Sequence, residues 1–153
     1  MCSGKTVDSK LAKRSRATLT ILSRTLTADE LVRAIGVTPD RVVEKGSPVK
    51  GTSGGVHRYS VVAFESHLDA DAEPSTHLDE LLLRLSPIKE AIRALADPGC
   101  APGAHDVPVR LSLYIESPRR MLGIDLSAER LAAIGEFGAH LGVEVDTDCV
   151  SLG

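Results

Sequence analysis

The stretch VPVRLSLYIE, residues 107–116, decides the fold of this chain. Apolar and polar residues alternate through it, which places one set of side chains on each face of a strand. The apolar set is Val107, Val109, Leu111, Leu113 and Ile115, and the polar set is Arg110, Ser112, Tyr114 and Glu116. This pattern predicts a strand with one face on the core and the other face on water.

Three other segments are predicted to form strands beside this one. Residues 16–24 and 141–146 alternate in the same way, so each strand should also have one apolar and one polar face. Residues 56–65 carry apolar side chains on both faces, which favours a central place in the sheet or cover on both sides. We therefore expect about four strands in one sheet.

The segment LTADELVRAIG, residues 26–36, predicts a capped helix. Thr27 is a suitable N-cap, Glu30 completes a capping box with it, and Gly36 ends the helix. The segment LSAERLAAIG, residues 126–135, repeats the same pattern with a serine at the cap. Because each segment follows an alternating strand, the pair suggests a two-fold β-α repeat.

An apolar stripe over residues 78–95 has helical spacing and is interrupted by Pro87. A proline is tolerated at the first position of a helix, so we expect two helices or one sharply kinked helix, with Ser86 capping the second segment. Helices with one apolar stripe and strands with one polar face predict an α+β two-layer sandwich. Helices should cover one face of a mostly antiparallel or mixed sheet.

The chain length suits a single domain, which we expect to span residues 16–150. Residues 1–16 contain five basic residues and Asp8, a net charge of +4, which leaves −7 on the other 137 residues. Residues 1–15 are therefore expected to form a basic, flexible tail on an acidic body.

Composition excludes several classes of protein. Aromatic residues make up 3% of the chain and Trp is absent, which disfavours a platform for stacking nucleic-acid bases. The acidic body also has the wrong sign for nucleic acid. No apolar run approaches the roughly 20 residues of a membrane helix, and the basic N-terminus lacks the apolar segment of a signal peptide. Three scattered cysteines fit neither a disulfide framework nor a zinc site, so we expect a cytoplasmic protein.

The segment IGVTPDRVVEKGSP resembles the bacterial domain-of-unknown-function family 4279. The positions that carry the resemblance are Gly36, Pro39, Lys45, Gly46 and Pro48. The similarity continues through STHLDELLLRLSPIKEAIRAL and the closing strand, and covers roughly residues 17–147. Two positions differ from the family, because HRYS stands where a Trp is usual and the last strand ends in acids without an aromatic residue. The resemblance implies a fold and no activity.

The sequence contains segments that resemble catalytic, cofactor-binding and metal-binding motifs, but none has the flanking residues or spacing that such a motif requires. The glycine-rich segment KGSPVKGTSGG lacks the order of a phosphate-binding loop, because Lys50 precedes a glycine and a strand follows. His57, His67 and His77 lie ten residues apart across a strand, a loop and a helix start, which predicts no convergence on a metal. No serine or cysteine has the setting of a nucleophile. We therefore expect no cofactor and no metal, and lean against an enzyme.

The polar face of the sheet remains as a candidate binding surface. The residues expected on it are Arg110, Tyr114, Glu144 and Asp146, joined by His57 and Tyr59. Tyr and Arg are enriched in protein interfaces, which indicates a non-catalytic module that binds another protein or itself. An acidic body would suit an immunity or antitoxin role against a basic partner.

The alternative is a small-ligand binder or an enzyme. Its pocket would lie between the Gly46–Gly55 loop and the second strand, and its reactive groups would be His57, Tyr59 and His77. A flat polar face would favour the binding module, whereas a concave pocket with convergent titratable groups would favour the alternative.

Overall fold

A computed structural model describes residues 14–96, 107–117, 124 and 126–147. The strands it contains are β1 (Arg14–Ser23), β2 (Arg41–Val43), β3 (Ser60–Glu65), β4 (Val109–Ser117) and β5 (His140–Thr147). They form one sheet in the order β2-β3-β1-β4-β5. The first strand begins two residues before its predicted start, and the predicted tail as far as residue 13 lies outside the described residues.

The strand directions make the sheet mixed and mostly antiparallel, as predicted. The central strand β1 runs antiparallel to β3 and β4, β2 runs antiparallel to β3, and β5 runs parallel to β4. The sheet has five strands among the described residues instead of about four. The additional strand, β2, is only three residues long and lies in a segment rich in Gly and Pro, so alternation could not reveal it.

The helices of the described chain are α1 (Ala28–Ile35), α2 (Pro74–Leu85), α3 (Lys89–Ala96) and α4 (Ala128–Glu136). A 3-10 turn, Ser86–Ile88, joins α2 to α3 at the predicted interruption by Pro87. Ser86 therefore opens this turn, and α3 begins only at Lys89, so Ser86 is not the cap that the sequence predicted.

All these helices pack on one face of the sheet, which we name the covered face. A single core cluster joins the inward side chains of the strands to the apolar stripes of the helices. Its members from the sheet are Ala17, Leu19, Ile21, Val62, Phe64, Val109, Leu111, Leu113 and Ile115. The α+β two-layer architecture with helices on one face is thus confirmed, and the opposite face is left without a helical layer in the described chain.

The helical layer leaves part of the edge strand β5 uncovered. Val143 and Val145 pair with Leu113 and Ile115, so they belong to the covered face as predicted. They nevertheless remain 41% and 44% exposed, whereas Leu113 is fully buried. The apolar face of β5 is therefore only partly covered by helices, because β5 lies at the margin of the sheet.

Buried serines lie at the strand ends of the covered face, next to the apolar side chains and beside the adjoining loops. The Ser15 hydroxyl donates to the Ala72 carbonyl at 2.6 Å, and the Ser23 hydroxyl accepts the Leu26 N–H at 2.9 Å. Ser60, which is also fully buried, bonds in a similar way to the segment after β2. Because buried polar groups need partners, these hydroxyls fix the loops against the strand ends.

The suggested two-fold repeat is not confirmed. Both helix starts are capped, by Thr27 and by Ser127, as the repeated segments predicted. The surroundings differ, however, because β5 pairs directly with β4 whereas β3 separates β2 from β1. Leu31 is fully buried and its counterpart Leu131 is 50% exposed. The similarity therefore lies in the capping chemistry alone.

Replacing Thr27 with Ala should lower the free energy of unfolding by about 0.5–2 kcal/mol. The Thr27 hydroxyl accepts the Glu30 N–H at 3.1 Å, and the Thr27 N–H donates to the Glu30 carboxylate at 2.8 Å, which is a complete capping box. Urea denaturation measures the cost, with Thr38→Ala on the exposed loop after α1 as the control. Equal midpoints for the two variants would contradict the role of the cap.

Candidate functional site

The sheet face without helices, which we name the open face, is the candidate functional surface. The strand pairing places on it Arg41 of β2, Ala63 and Glu65 of β3, Arg14, Arg16, Thr18 and Thr20 of β1, Arg110, Ser112, Tyr114 and Glu116 of β4, and His140, Gly142, Glu144 and Asp146 of β5. Most of these side chains are polar, and none of them belongs to the core cluster.

Short side chains occupy the middle of the open face. Thr18, Ser112 and Gly142 are neighbours in one row across three strands, and Thr20 lies in the next row on β1. Longer side chains follow at one end, where Arg16, Tyr114 and Glu144 share a row. The face therefore has a shallow polar centre bounded by arginine, tyrosine and carboxylate groups.

Tyr114 is the aromatic residue of this end of the face. Its hydroxyl lies 3.4 Å from a carboxylate oxygen of Asp146, and Glu116 is the neighbour of Asp146 on β4. Partial loss of water around the phenol, together with the negative charges of Asp146 and Glu116, raises the pKa of Tyr114 above its usual value. Tyr114 is therefore a neutral hydrogen-bond donor beside an acidic margin.

The structure separates the six predicted surface residues into groups. Tyr114, Glu144 and Asp146 lie together, whereas Arg110 lies four positions from Tyr114 on β4, roughly 13 Å along the strand. Tyr59 precedes β3 at the opposite end of the sheet, about nine residues or 30 Å from the row of Asp146. The predicted residues therefore do not form one compact site.

Tyr59 takes part in a local contact at its own end of the sheet. The Arg24 guanidinium lies over the Tyr59 ring, 4.9 Å from its centroid, and donates to the Tyr59 hydroxyl at 2.6 Å. The Lys45 ammonium donates to the Arg24 carbonyl at 2.7 Å. This arrangement explains Tyr59 as a support for the turn after β1.

The Gly46–Gly55 loop closes on itself as a short hairpin. The N–H of Gly46 donates to the His57 carbonyl at 2.8 Å, the N–H of His57 donates to the Ser47 carbonyl at 2.9 Å, and Pro48 bridges to Val56. Backbone donors used in this way are not turned towards a phosphate. Two clefts lie elsewhere on the molecule, and no residue of this loop lines either of them.

The first cleft, of about 370 Å³, opens beside the Arg14 end of the open face and reaches Ser66 and His77. His77 is 1% exposed, its Nδ1 lies 2.7 Å from the Ser66 hydroxyl, and its Nε2 has no hydrogen-bond partner. Burial lowers the pKa of His77, although the Asp69 carbonyl and the Glu80 carboxylate oppose this shift, so the ring is neutral near pH 7.

The second cleft, of about 670 Å³, lies between α2 and α4. The Arg130 guanidinium bridges it with two hydrogen bonds to the Asp79 carboxylate, at 2.8 and 2.9 Å. This contact holds the pKa of Asp79 below its usual value. The pair joins the two helices, which gives it a structural role.

The three evenly spaced histidines occupy separate environments. His67 Nε2 lies 2.7 Å from a carboxylate oxygen of Asp40, and His77 Nδ1 lies 2.7 Å from the Ser66 hydroxyl. His57 forms backbone hydrogen bonds within the hairpin. Burial opposes ionisation of Asp40, but the Glu65 N–H and His67 together keep its pKa below the usual value. Within the described ranges, no group of three His, Cys, Asp or Glu side chains is placed to hold a metal.

Treatment with a chelator should therefore leave the unfolding midpoint of the protein unchanged. A structural metal would contribute to folding, so its removal would lower the midpoint. The measurement compares thermal unfolding with and without EDTA, on protein prepared without a histidine tag. A stoichiometric metal in elemental analysis of the same sample would contradict this expectation.

The family described as "Domain of unknown function (DUF4279)" matches residues 13–148. The chain belongs to this family. No curated protein and no solved structure matches this DUF4279 domain. None of its described helices is long and apolar enough to cross a membrane.

The residues that carry the family resemblance shape turns in this DUF4279 domain. Gly36 ends α1 with a φ of 83°, and Gly46 begins the hairpin with a φ of 85°. Both values lie in the left-handed region that favours glycine. The motif therefore specifies the fold, whereas the cleft beside Ser66 and His77 depends on contacts between distant segments that no local motif signals.

Proposed function

We propose that this DUF4279 domain is a non-catalytic module that binds another protein through the open face of its sheet. The observation that carries the proposal is the absence of a helical layer on that face in the described chain. A sheet face without a second layer must meet water or a partner, and its Tyr and Arg side chains are the types enriched at interfaces.

The dimensions of the open face suit a specific protein contact. The strands have 10, 3, 6, 9 and 8 residues, with a rise of about 3.3 Å per residue and a spacing of about 4.8 Å. The resulting footprint of roughly 570 Å² is of the same order as the ~800 Å² that each partner buries in a standard interface. A single partner domain could therefore cover the face.

Charge at the β5 side of the open face favours a basic group on the partner. Glu144 and Asp146 line that side, whereas the arginines of the face lie on β1, β2 and β4. Complementary charge accelerates association and rejects partners of the wrong sign. An immunity or antitoxin role in a bacterial cytoplasm, against a basic partner protein, is consistent with this surface. Its association rate should fall as salt is added.

The hydrogen bonding of Ser66 supports a non-catalytic module over an enzyme. Ser66 and His77 are the pair in the described chain that most resembles a nucleophile and its base. The Ser66 hydroxyl also accepts the Ala17 N–H at 3.1 Å, which ties it to β1. The pair therefore resembles a structural contact between β1, β3 and α2.

The test combines Arg110→Ala with Tyr114→Ala. We expect the double variant to keep its unfolding free energy within about 1 kcal/mol, because surface substitutions cost little. Recovery of the partner in affinity capture, or self-association in ultracentrifugation, should fall at least ten-fold. The matched control is Arg33→Ala with Leu83→Ala, which removes an arginine and a large side chain from the exposed helical surface.

Two results would contradict the proposal. Unfolding of the double variant would mean that the open face is part of the core. Normal stability with undiminished association would agree with the described fold but would show that the open face is not the binding surface.

A further inference from the structure

The cleft beside the Arg14 end of the open face has the features of a ligand site. Its volume of about 370 Å³ lies at the small end of the range for ligand pockets. Its lining combines the apolar side chains of Leu68 and Ala70 and the Tyr114 ring with charged and hydroxyl groups. Such a combination suits a small molecule with an apolar body and one polar group.

Two arginine side chains, those of Arg14 and Arg16, line the cleft. Arg14 and Arg16 alternate on β1, so their side chains leave the same face of the sheet from positions roughly 6.6 Å apart. Within the described parts of the chain, neither guanidinium has a carboxylate at ion-pair distance, and both side chains are exposed. Guanidinium groups so placed are suited to binding a planar oxyanion with paired hydrogen bonds.

A buried polar pair forms the inner end of the cleft. The His77 ring is almost fully buried and leaves one nitrogen without a partner, which is costly in a protein interior. When Nδ1 carries the ring proton, the Ser66 hydroxyl accepts from both Nδ1–H and the Ala17 N–H.

The charges around the cleft favour a carboxylate over a phosphate. Arg14 and Arg16 contribute two positive charges to the lining, while Tyr114 and His77 are neutral. A singly charged carboxylate can pair with these guanidinium groups. A doubly charged phosphate would meet repulsion from Glu116 and the nearby Asp146.

We propose that this cleft binds a small organic acid whose single carboxylate lies between Arg14 and Arg16. The Tyr114 hydroxyl, which donates to Asp146 over 3.4 Å, turns to donate to the ligand, and the apolar body of the ligand lies against Leu68 and Ala70. The cleft and the proposed protein interface can be tested separately. Arg110 belongs to the proposed interface and does not line the cleft.

The experiment is a titration followed by the backbone amide signals of residues 14–16 and 114 in NMR spectra. The probes are benzoate, a monocarboxylate with an apolar body, benzamide, its neutral counterpart, and phenylphosphonate, a more highly charged counterpart. We expect saturable shifts with benzoate and at least ten-fold weaker binding of the other two. Arg14→Gln with Arg16→Gln should weaken benzoate binding at least ten-fold, whereas Arg33→Gln with Arg93→Gln on the helices should not change it.

Tyr114→Phe keeps the ring and removes only the hydroxyl, so it tests the site even if the arginine variant does not fold. We expect it to weaken benzoate binding several-fold. Shifts that do not saturate, equal binding of benzamide, or benzoate binding unaffected by both variants would overturn the proposal. Tighter binding of phenylphosphonate would overturn the assignment to carboxylates. Arg110→Ala should leave benzoate binding unchanged, which separates this site from the proposed protein interface.

Discussion

Replacing Leu113 with Ala is expected to lower the free energy of unfolding by about 2–5 kcal/mol. Leu113 is fully buried in the covered face of β4, with Ala17 beside it on β1 and Val143 beside it on β5. Ala17 is too small to fill the space that the leucine leaves, and Val143 faces partly outward. The cavity would therefore persist, which places the cost towards the upper part of the range.

The control for this prediction is the same substitution at Leu83. Leu83 is 78% exposed on α2, so Leu83→Ala removes the same atoms without leaving a cavity. Urea denaturation of both variants gives the two free energies of unfolding under the same conditions. A cost for Leu113→Ala no larger than that for Leu83→Ala would show that the covered face is not the core.

Replacing Ser23 with Ala should cost about 1–3 kcal/mol, which is much more than a serine usually contributes. Ser23 is fully buried, and its hydroxyl accepts the N–H groups of Thr25 and Leu26 at 3.2 and 2.9 Å. Without the hydroxyl, the Leu26 N–H loses its acceptor beside the start of α1. An unpaired donor in a half-buried place is the source of the expected cost.

Ser53→Ala is the matched control for Ser23→Ala, because Ser53 lies exposed in the hairpin loop. Thermal unfolding of the two variants should show a lower midpoint for Ser23→Ala and an unchanged midpoint for Ser53→Ala. Similar midpoints would mean that water replaces the Ser23 hydroxyl, and that the serines do not fix the loops to the strands.

The parts of the fold that sequence could predict are those with a local signal. Alternation identified β4 and the inward direction of Leu111 and Leu113, because side chains of a strand point to opposite faces wherever the strand lies. The cap at Thr27 could be predicted for the same reason, since its partner Glu30 is three residues away. These features depend on neighbouring residues alone.

The remaining parts depend on segments that are distant along the chain. Ser15 and Ser23 look like polar strand residues in the sequence, yet both are buried because loops fold back to bond with them. The exposure of Val143 could not be predicted, since it depends on how far the helices extend over the sheet. The distance of Tyr59 from Tyr114 could not be predicted, because it depends on the pairing of β3 with β1.

The candidate site shows the same limit. Sequence placed Tyr114, Glu144 and Asp146 on one polar face, and the pairing of β4 with β5 does bring them together. The cleft beside Arg14 and Arg16 could not be predicted, because its lining comes from β1, β4, the segment after β3 and α2. No periodicity records a contact between a strand, a loop and a helix start.

The central place of β1 in the sheet has a consequence for synthesis of the protein. β1 is the first strand of the described chain, yet it needs β3 on one side and β4 on the other. At 5–20 residues per second, β4 leaves the ribosome about 4–17 s after β1. During that time β1 has an unpaired edge. A nascent chain arrested before β4 should therefore bind chaperones and aggregate, whereas one arrested after β5 has left the ribosome should fold.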